Sequence, residues 1–299
     1  MVIETFNLTK LYARKPGCRD ICLSVPKGQV FGFLGSKGAG KSTVVKTLLG
    51  LLKPTDGHAL ILGCPPGDKR VRRKIGFLPE HLRFQDWLSG QELLEFHGAM
   101  YGMERRYLKQ RIPAVLEIVS LRGREKERIK SYSKDMQQRL GIASALLPDP
   151  ELIFLDEPSS DLDPIGRKEV RDIIRNLRSQ SKTVFLNSHL LSEVEMTCDQ
   201  VAFIKQGMIL DQGKISNFTA GKRLISIRYE GSARILELIR EMSQEVCVEN
   251  DRVWVTVASG DRIPDLAAIV VQNGGKLFEM TTSSYSLEDV LNNIIGEDS

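Results

Sequence analysis

Gly35-Ser36-Lys37-Gly38-Ala39-Gly40-Lys41-Ser42-Thr43 follows the apolar segment Val30 to Leu34 and opens onto Lys41 to Leu52. In that second stretch the apolar residues Val44, Val45, Leu48, Leu49 and Leu52 recur at helical spacing. The nine residues meet the pattern G-x-x-x-x-G-K-[ST] between a strand and a helix, which is a phosphate cradle. Its glycines let successive backbone N–H groups point at phosphate oxygens, Lys41 reaches the terminal phosphates, and the Ser42 hydroxyl is offered to Mg²⁺. Strand, loop and helix in this order predict a parallel α/β fold built around a bound nucleoside triphosphate.

A second apolar strand, Leu152 to Leu155, ends in Asp156-Glu157-Pro158. A carboxylate at a strand end facing the cradle suits Asp156 to Mg²⁺, and Glu157 beside it is placed to polarise a water for in-line attack on the γ-phosphate. Between the two lies Ser131-Tyr132-Ser133-Lys134-Asp135-Met136-Gln137-Gln138-Arg139, ahead of a helical run from Leu140 to Leu147. This segment resembles the signature of ATP-binding cassette proteins, in a form similar to that of bacterial ABC-2-type exporters.

With that resemblance, Ser160-Asp161-Leu162-Asp163 looks like the D-loop, and His189 in Asn187-Ser188-His189 looks like the switch histidine. Tyr12 resembles the aromatic residue that stacks on adenine, an ordinary surface tyrosine being the alternative. Glu80 in Leu78-Pro79-Glu80 stands where the family usually has Gln, and it keeps an oxygen for Mg²⁺ or its water. The nucleotide-binding set implied is therefore Tyr12, Gly35 to Thr43, Ser133, Lys134, Asp135, Gln137, Asp161 and Asp163. Glu157 and His189 are the catalytic pair, and Ser42, Glu80 and Asp156 are the Mg²⁺ residues.

The 299 residues suit two domains. No run of 18 apolar residues occurs, and Met1 to Lys10 shows neither the n-region nor the h-region of a signal peptide, so a cytoplasmic chain is expected. Five cysteines without a C-x-x-C pair and four scattered histidines point to neither a disulfide framework nor a zinc site. The motifs stop before Gly221-Lys222, and charge divides there. Residues 223–299 hold 7 Lys+Arg against 13 Asp+Glu, net −6, which leaves +10 for residues 1–222. The basic half is the one that meets triphosphate and an anionic membrane surface, although the run Lys69 to Lys74 itself reads as a solvated face. Residues 82–147 read as mostly helical.

In the tail, strand-like Ile225, Ile227 and Tyr229 precede a helix over Ile235, Leu238, Ile239 and Met242. A hairpin about Asn250-Asp251, a second helix, a strand from Lys276 to Thr281 and a last helix from Leu287 follow. This βαββαβ order predicts a small ferredoxin-like α+β domain, similar to the accessory domain after the cassette in exporter ATPases.

The resemblance implies a subunit that dimerises on ATP, hydrolyses it and drives export through a separate integral membrane permease. Such a subunit would sit peripherally on the cytoplasmic membrane face and bind no nucleic acid. Phe84, Trp87 and Leu88 either line a groove for the permease or belong to the core. Two departures from the family pattern, Lys37 in the cradle and Asp135 at the second signature glycine, leave open a catalytically weakened regulatory cassette. They also suggest a homodimer in which Lys37 faces the partner's Asp135, the alternative being two independent drifts; Asp135 itself either approaches the γ-phosphate or caps the helix beginning near Met136, turned from the nucleotide. A soluble cassette of DNA repair or translation is disfavoured, because the 53 positions from Glu80 to Ser133 are too few for a long coiled coil.

Overall fold

The computed structural model describes residues 1–13, 15–219, 223–243, 245–249, 251–257, 262–284 and 286–296. It divides into two compact units, Met1–Gly213 and Lys214–Ser299. The expected boundary at Gly221-Lys222 and the turn residue Asn250 lie outside the described residues.

In the first unit a six-stranded sheet has the order β10-β9-β4-β8-β7-β6, namely Met208–Lys214, Gln200–Lys205, Val30–Leu34, Thr183–Ser188, Leu152–Asp156 and Ile75–Leu78. Strands β9, β4, β8, β7 and β6 pair in parallel. Every residue of β4, β7 and β8 is buried, as near-continuous apolar strands covered on both faces must be. Phe31, Phe33 and Phe154 pack around Phe185 with ring centroids 5.3 to 5.7 Å away, which ties β4, β8 and β7 side to side. A smaller antiparallel sheet flanks this core: β1 (Ile3–Tyr12) pairs with β2 (Lys15–Ile21), β3 (Ser24–Val25) and β5 (Asp56–Ile61).

The stretch between β6 and β7 is helical as expected: α3 (Gly90–Met100), α4 (Arg105–Ile118) and α5 (Lys134–Leu146). A reciprocal capping box starts α3, with Ser89 Oγ accepting from Glu92 N–H and the Glu92 carboxylate accepting from Ser89 N–H. Helix α5 begins six residues ahead of the apolar run at Leu140, because Ser133 Oγ caps it by accepting from Met136 N–H at 3.2 Å. The cap is thus Ser133, and Asp135 lies in the first turn. The basic run forms one short helical turn, α2 (Lys69–Arg72), capped by Asp68; Val71 is buried and the charges around it face solvent. Beside Glu80, Phe84 and Leu88 are half-buried and Trp87 is exposed, so Trp87 is no core residue.

The second unit opens with α8 (Ile215–Thr219) and carries the sheet β12-β13-β11-β14, in which every neighbour is antiparallel. Its strands are Glu245–Glu249, Arg252–Val257, Arg223–Glu230 and Lys276–Ser284. This is the ferredoxin-like order read from the periodicities. Ile225, Ile227, Val253 and Val255 pack on Ile235 and Ile239 of α9 (Ala233–Met242) and on Leu266 and Val270 of α10 (Ile263–Gln272). On the opposite face Arg252 bridges Ser226 and Glu279, reaching the Glu279 carboxylate at 2.8 Å. The last helix, α11 (Leu287–Gly296), starts from Ser286, whose Oγ accepts from Asp289 N–H while Asp289 Oδ2 accepts from Ser286 N–H at 2.8 Å.

Candidate functional site

Three neighbouring parallel strands, β4, β8 and β7, end at one edge of the sheet, and each delivers a motif there, as open α/β sheets place ligands outside the carboxyl ends of their strands. Past β4 the chain makes the cradle and enters α1 (Lys41–Leu48). Gly40 caps that helix at φ 103°, where an added Cβ would meet Gly17 O at 2.3 Å. Only glycine fits both the left-handed backbone and the approach of the neighbouring strand. The first-turn amides of α1 thereby face a cavity of about 330 Å³.

Ser36, Lys37, Gly38, Gly40, Lys41, Ser42 and Thr43 line this cavity. Gly35 and Ala39 are buried behind them, and Gly35 contributes its carbonyl. Lys41 Nζ donates to Gly35 O at 2.6 Å and Ser36 O at 3.2 Å, and its charge lies 4.0 Å from Glu157 Oε1. Burial lowers the Lys41 pKa from its ordinary value, while the Glu157, Asp156 and Glu80 carboxylates act to raise it.

Asp156, Glu157 and Glu80 line the same cavity. Burial raises the Asp156 pKa, a hydrogen bond from Asn187 opposes the rise, and Glu80 and Glu157 add to it. Glu157 has φ 51°, a left-handed conformation unusual for a long side chain, and its N–H donates to Asn187 O at 2.8 Å. Its Oε2 lies 2.8 Å from His189 Nδ1. Since the carboxylate accepts, this nitrogen carries the proton, which assigns the tautomer. His189 does not itself line the cavity and reaches it through Glu157.

Tyr12 lines the cavity at its outer end and is 47% exposed. A Cβ on Gly17 would lie 2.6 Å from the Tyr12 ring and 2.9 Å from the Thr43 methyl, so the bare backbone of Gly17 lets the ring close on the start of α1.

The other motif residues are elsewhere. Ser133, Lys134, Asp135, Gln137, Asp161 and Asp163 do not line the cavity. Ser133 and Lys134 are exposed at the start of α5, and Asp161 is exposed in the D-loop. Asp163 caps α6 (Pro164–Ser179), its Oδ1 accepting from Gly166 N–H at 2.7 Å. The Asp135 carboxylate packs against Gly166 of its own chain, where an added Cβ would meet its Cγ at 3.0 Å. Gln138 Nε2 donates to Pro158 O at 2.9 Å and so ties the signature helix to the loop after Glu157.

Pro16, Gly17 and Asn187 line the cavity although no motif marks them. Asn187 had a signal: it is a polar residue at the end of an apolar strand, in parallel register with Asp156. Gly17 had none, since it stands on β2, distant in sequence from the cradle residues Gly40 and Thr43 that it meets.

Residues 18–160 match the ABC transporter family. The chain is 36% identical to an uncharacterised ABC transporter ATP-binding protein of Nostoc sp. over 98% of its own length and 90% of the relative's. It is 34% identical to the bacitracin transport ATP-binding protein BcrA of Bacillus licheniformis over 99% and 97%. Among solved structures it resembles an ATP-binding subunit of an ABC transporter with a TM-score of 0.66 and 26% identity, over 73% of this chain and 92% of that one. Relatives matched over nearly their whole length and a cradle, carboxylate pair and histidine assembled at one sheet edge agree: the chain belongs to the ABC transporter ATP-binding proteins, a family of ATPases.

Proposed function

We propose that this chain hydrolyses ATP as half of a dimer that closes on nucleotide and drives export through a separate permease at the cytoplasmic membrane face. The observation that carries the reading is Glu157. One of its oxygens accepts from His189, and the other faces Lys41 at the cavity wall, beside Asp156. In this position it takes a proton from a water as the water oxygen attacks the γ-phosphorus, and ADP leaves with the β–γ bridging electrons. Lys41 neutralises phosphate charge, and the amides of α1 hold the phosphate oxygens.

Ser42, Asp156 and Glu80 suit Mg²⁺: all three are hard oxygen donors on one cavity wall, and Mg²⁺ takes one or two carboxylates together with phosphates and waters. The buried Asp156, with its raised pKa, is a negative site that a cation would relieve. When bound, the ion would neutralise charge developing on the phosphates.

The signature and D-loop residues lie away from the cavity and several are exposed, which supports a site completed by a second cassette. A second copy of this chain supplies one, because each chain carries both halves. The relative named for bacitracin transport supports a transport role. Among the described residues no helix is long and apolar enough to cross a membrane, so the reading needs a separate permease. Exposed Trp87 is a contact for it. In this reading the compact unit Met1–Gly213 is the nucleotide-binding domain and Lys214–Ser299 the accessory domain, a boundary somewhat ahead of the expected one between 222 and 223.

Glu157→Gln tests it. Hydrolysis should fall about 1,000-fold, since Gln keeps the shape but cannot take a proton. ATP binding should persist and size-exclusion with ATP should show a dimer; an unchanged rate removes Glu157 from the base role.

A further inference from the structure

We propose that Asn187 is a positioning residue of the nucleotide cavity, its side-chain oxygen holding a water there beside Asp156 and Glu157. Asn187 is 1% exposed, stands one residue before the end of β8 and lines the cavity. It binds both carboxylate residues: its side-chain Nδ2 donates to Asp156 Oδ1, and its carbonyl accepts from Glu157 N–H at 2.8 Å. Its Oδ1 is buried and has no hydrogen-bond partner among the described residues.

The amide orientation follows from Asp156, because the reverse flip would set two acceptors face to face. Buried polar atoms are almost always hydrogen-bonded, so this one requires a donor that comes from the cavity. The flanking strand residues Leu155 and Leu186 offer none.

A water donating one hydrogen to Asn187 Oδ1 keeps its second hydrogen for Glu157 and a lone pair for a cation beside Asp156. Asn187 would therefore orient the hydration of the metal–nucleotide complex rather than bind the nucleotide itself.

The inference rests on the proposed cation site, and the experiment separates the two. Binding of a fluorescent ATP analogue to the full chain is titrated in EDTA and across a Mg²⁺ series for wild type, Asn187→Leu and Asn187→Ser. The quantity compared is the ratio of affinities with and without Mg²⁺, so that any direct effect of the substitution on nucleotide binding, read in EDTA, divides out. The half-saturating Mg²⁺ concentration should rise about tenfold or more for Asn187→Leu, the range seen when outer-shell partners of a metal are lost. It should rise less for Asn187→Ser, whose hydroxyl is too short to serve Asp156 and the water together.

Should Asn187→Leu fail to fold, the Asn187→Ser shift decides. A Mg²⁺ dependence unchanged in a folded variant, or an equal loss in EDTA and in Mg²⁺, overturns the role of Asn187 alone. Wild-type binding that ignores Mg²⁺ removes the cation site and this inference with it.

Discussion

The nucleotide cavity and the outward end of α5 hold their motif residues in opposite surroundings. Lys41, Asp156 and Glu157 are 5 to 7% exposed, and each is bonded or paired to another residue of the cavity. Ser133, Lys134 and Asp161 are exposed, and among the described residues the Ser133 side chain, like that of the D-loop Asp163, bonds within its own helix turn. The first set is completed by three parallel strands of one chain. The second set is presented outward, which is what the proposed dimer requires: one chain supplies the phosphate half of its own site and the closing half of its partner's.

The largest expected effect breaks or keeps that division. Lys41→Ala should weaken nucleotide binding to the single chain by about 100-fold, since charge-assisted hydrogen bonds to phosphate of roughly 3 kcal/mol are lost. Ser133→Ala should leave the same calorimetric titration unchanged. An equal loss from both would mean that the signature contacts nucleotide within one chain.

A smaller effect is expected at Gly166. An alanine there would press its Cβ onto the Asp135 carboxylate and turn it from its seat on α6. In the Glu157→Gln background, ATP-driven dimerisation should weaken about tenfold, the scale of a few close atomic contacts misplaced. Adding Asp135→Gly should restore it. Failure of that rescue would show that Gly166 serves only the packing of α6.

Asp156 sharpens the comparison through pH. Its carboxyl is raised by burial, so folding disfavours the ionised form. Stability is therefore lost as pH rises through the ordinary carboxylate range toward the higher folded value, and the cost is absent where Asp156 is protonated in both states. Asp156→Asn should raise the apo melting temperature at neutral pH, and the gain should shrink as pH falls toward about 4. A gain independent of pH would point to packing instead.

The smallest expected effect is a coupling near zero. Asp135 lies against Gly166 of its own chain, so Lys37→Asn and Asp135→Gly should affect ATP-driven dimerisation additively within about 0.5 kcal/mol. A larger coupling would restore the opposite-charge pairing across the dimer that the two residues suggest in sequence.

Much of this architecture is legible in the chain because its strongest signals are local. The cradle needs nine consecutive residues, the buried strands are runs such as Leu152-Ile153-Phe154-Leu155, and the βαββαβ tail shows in its alternating and helical spacings. Capping is local too, yet the sequence leaves it open between neighbours. Ser133 and Asp135 are both good caps, and the choice fell to Ser133, whose hydroxyl reaches Met136 N–H.

What the sequence alone determined is which groups the proposed reaction draws on: the cradle pattern names Lys41 and Ser42, the strand end names Asp156 and Glu157, and the family resemblance adds His189. Only the tertiary structure decided how they meet. Parallel pairing of β7 with β8 sets Asn187 beside Asp156 and bonds Glu157 N–H to the Asn187 carbonyl. The close approach of Gly17 shapes the cavity around Tyr12 and Gly40. The packing of α5 on α6 takes Asp135 to Gly166. These contacts join segments distant in the chain, and no local period encodes a distance between residues that only the packing of a sheet brings together.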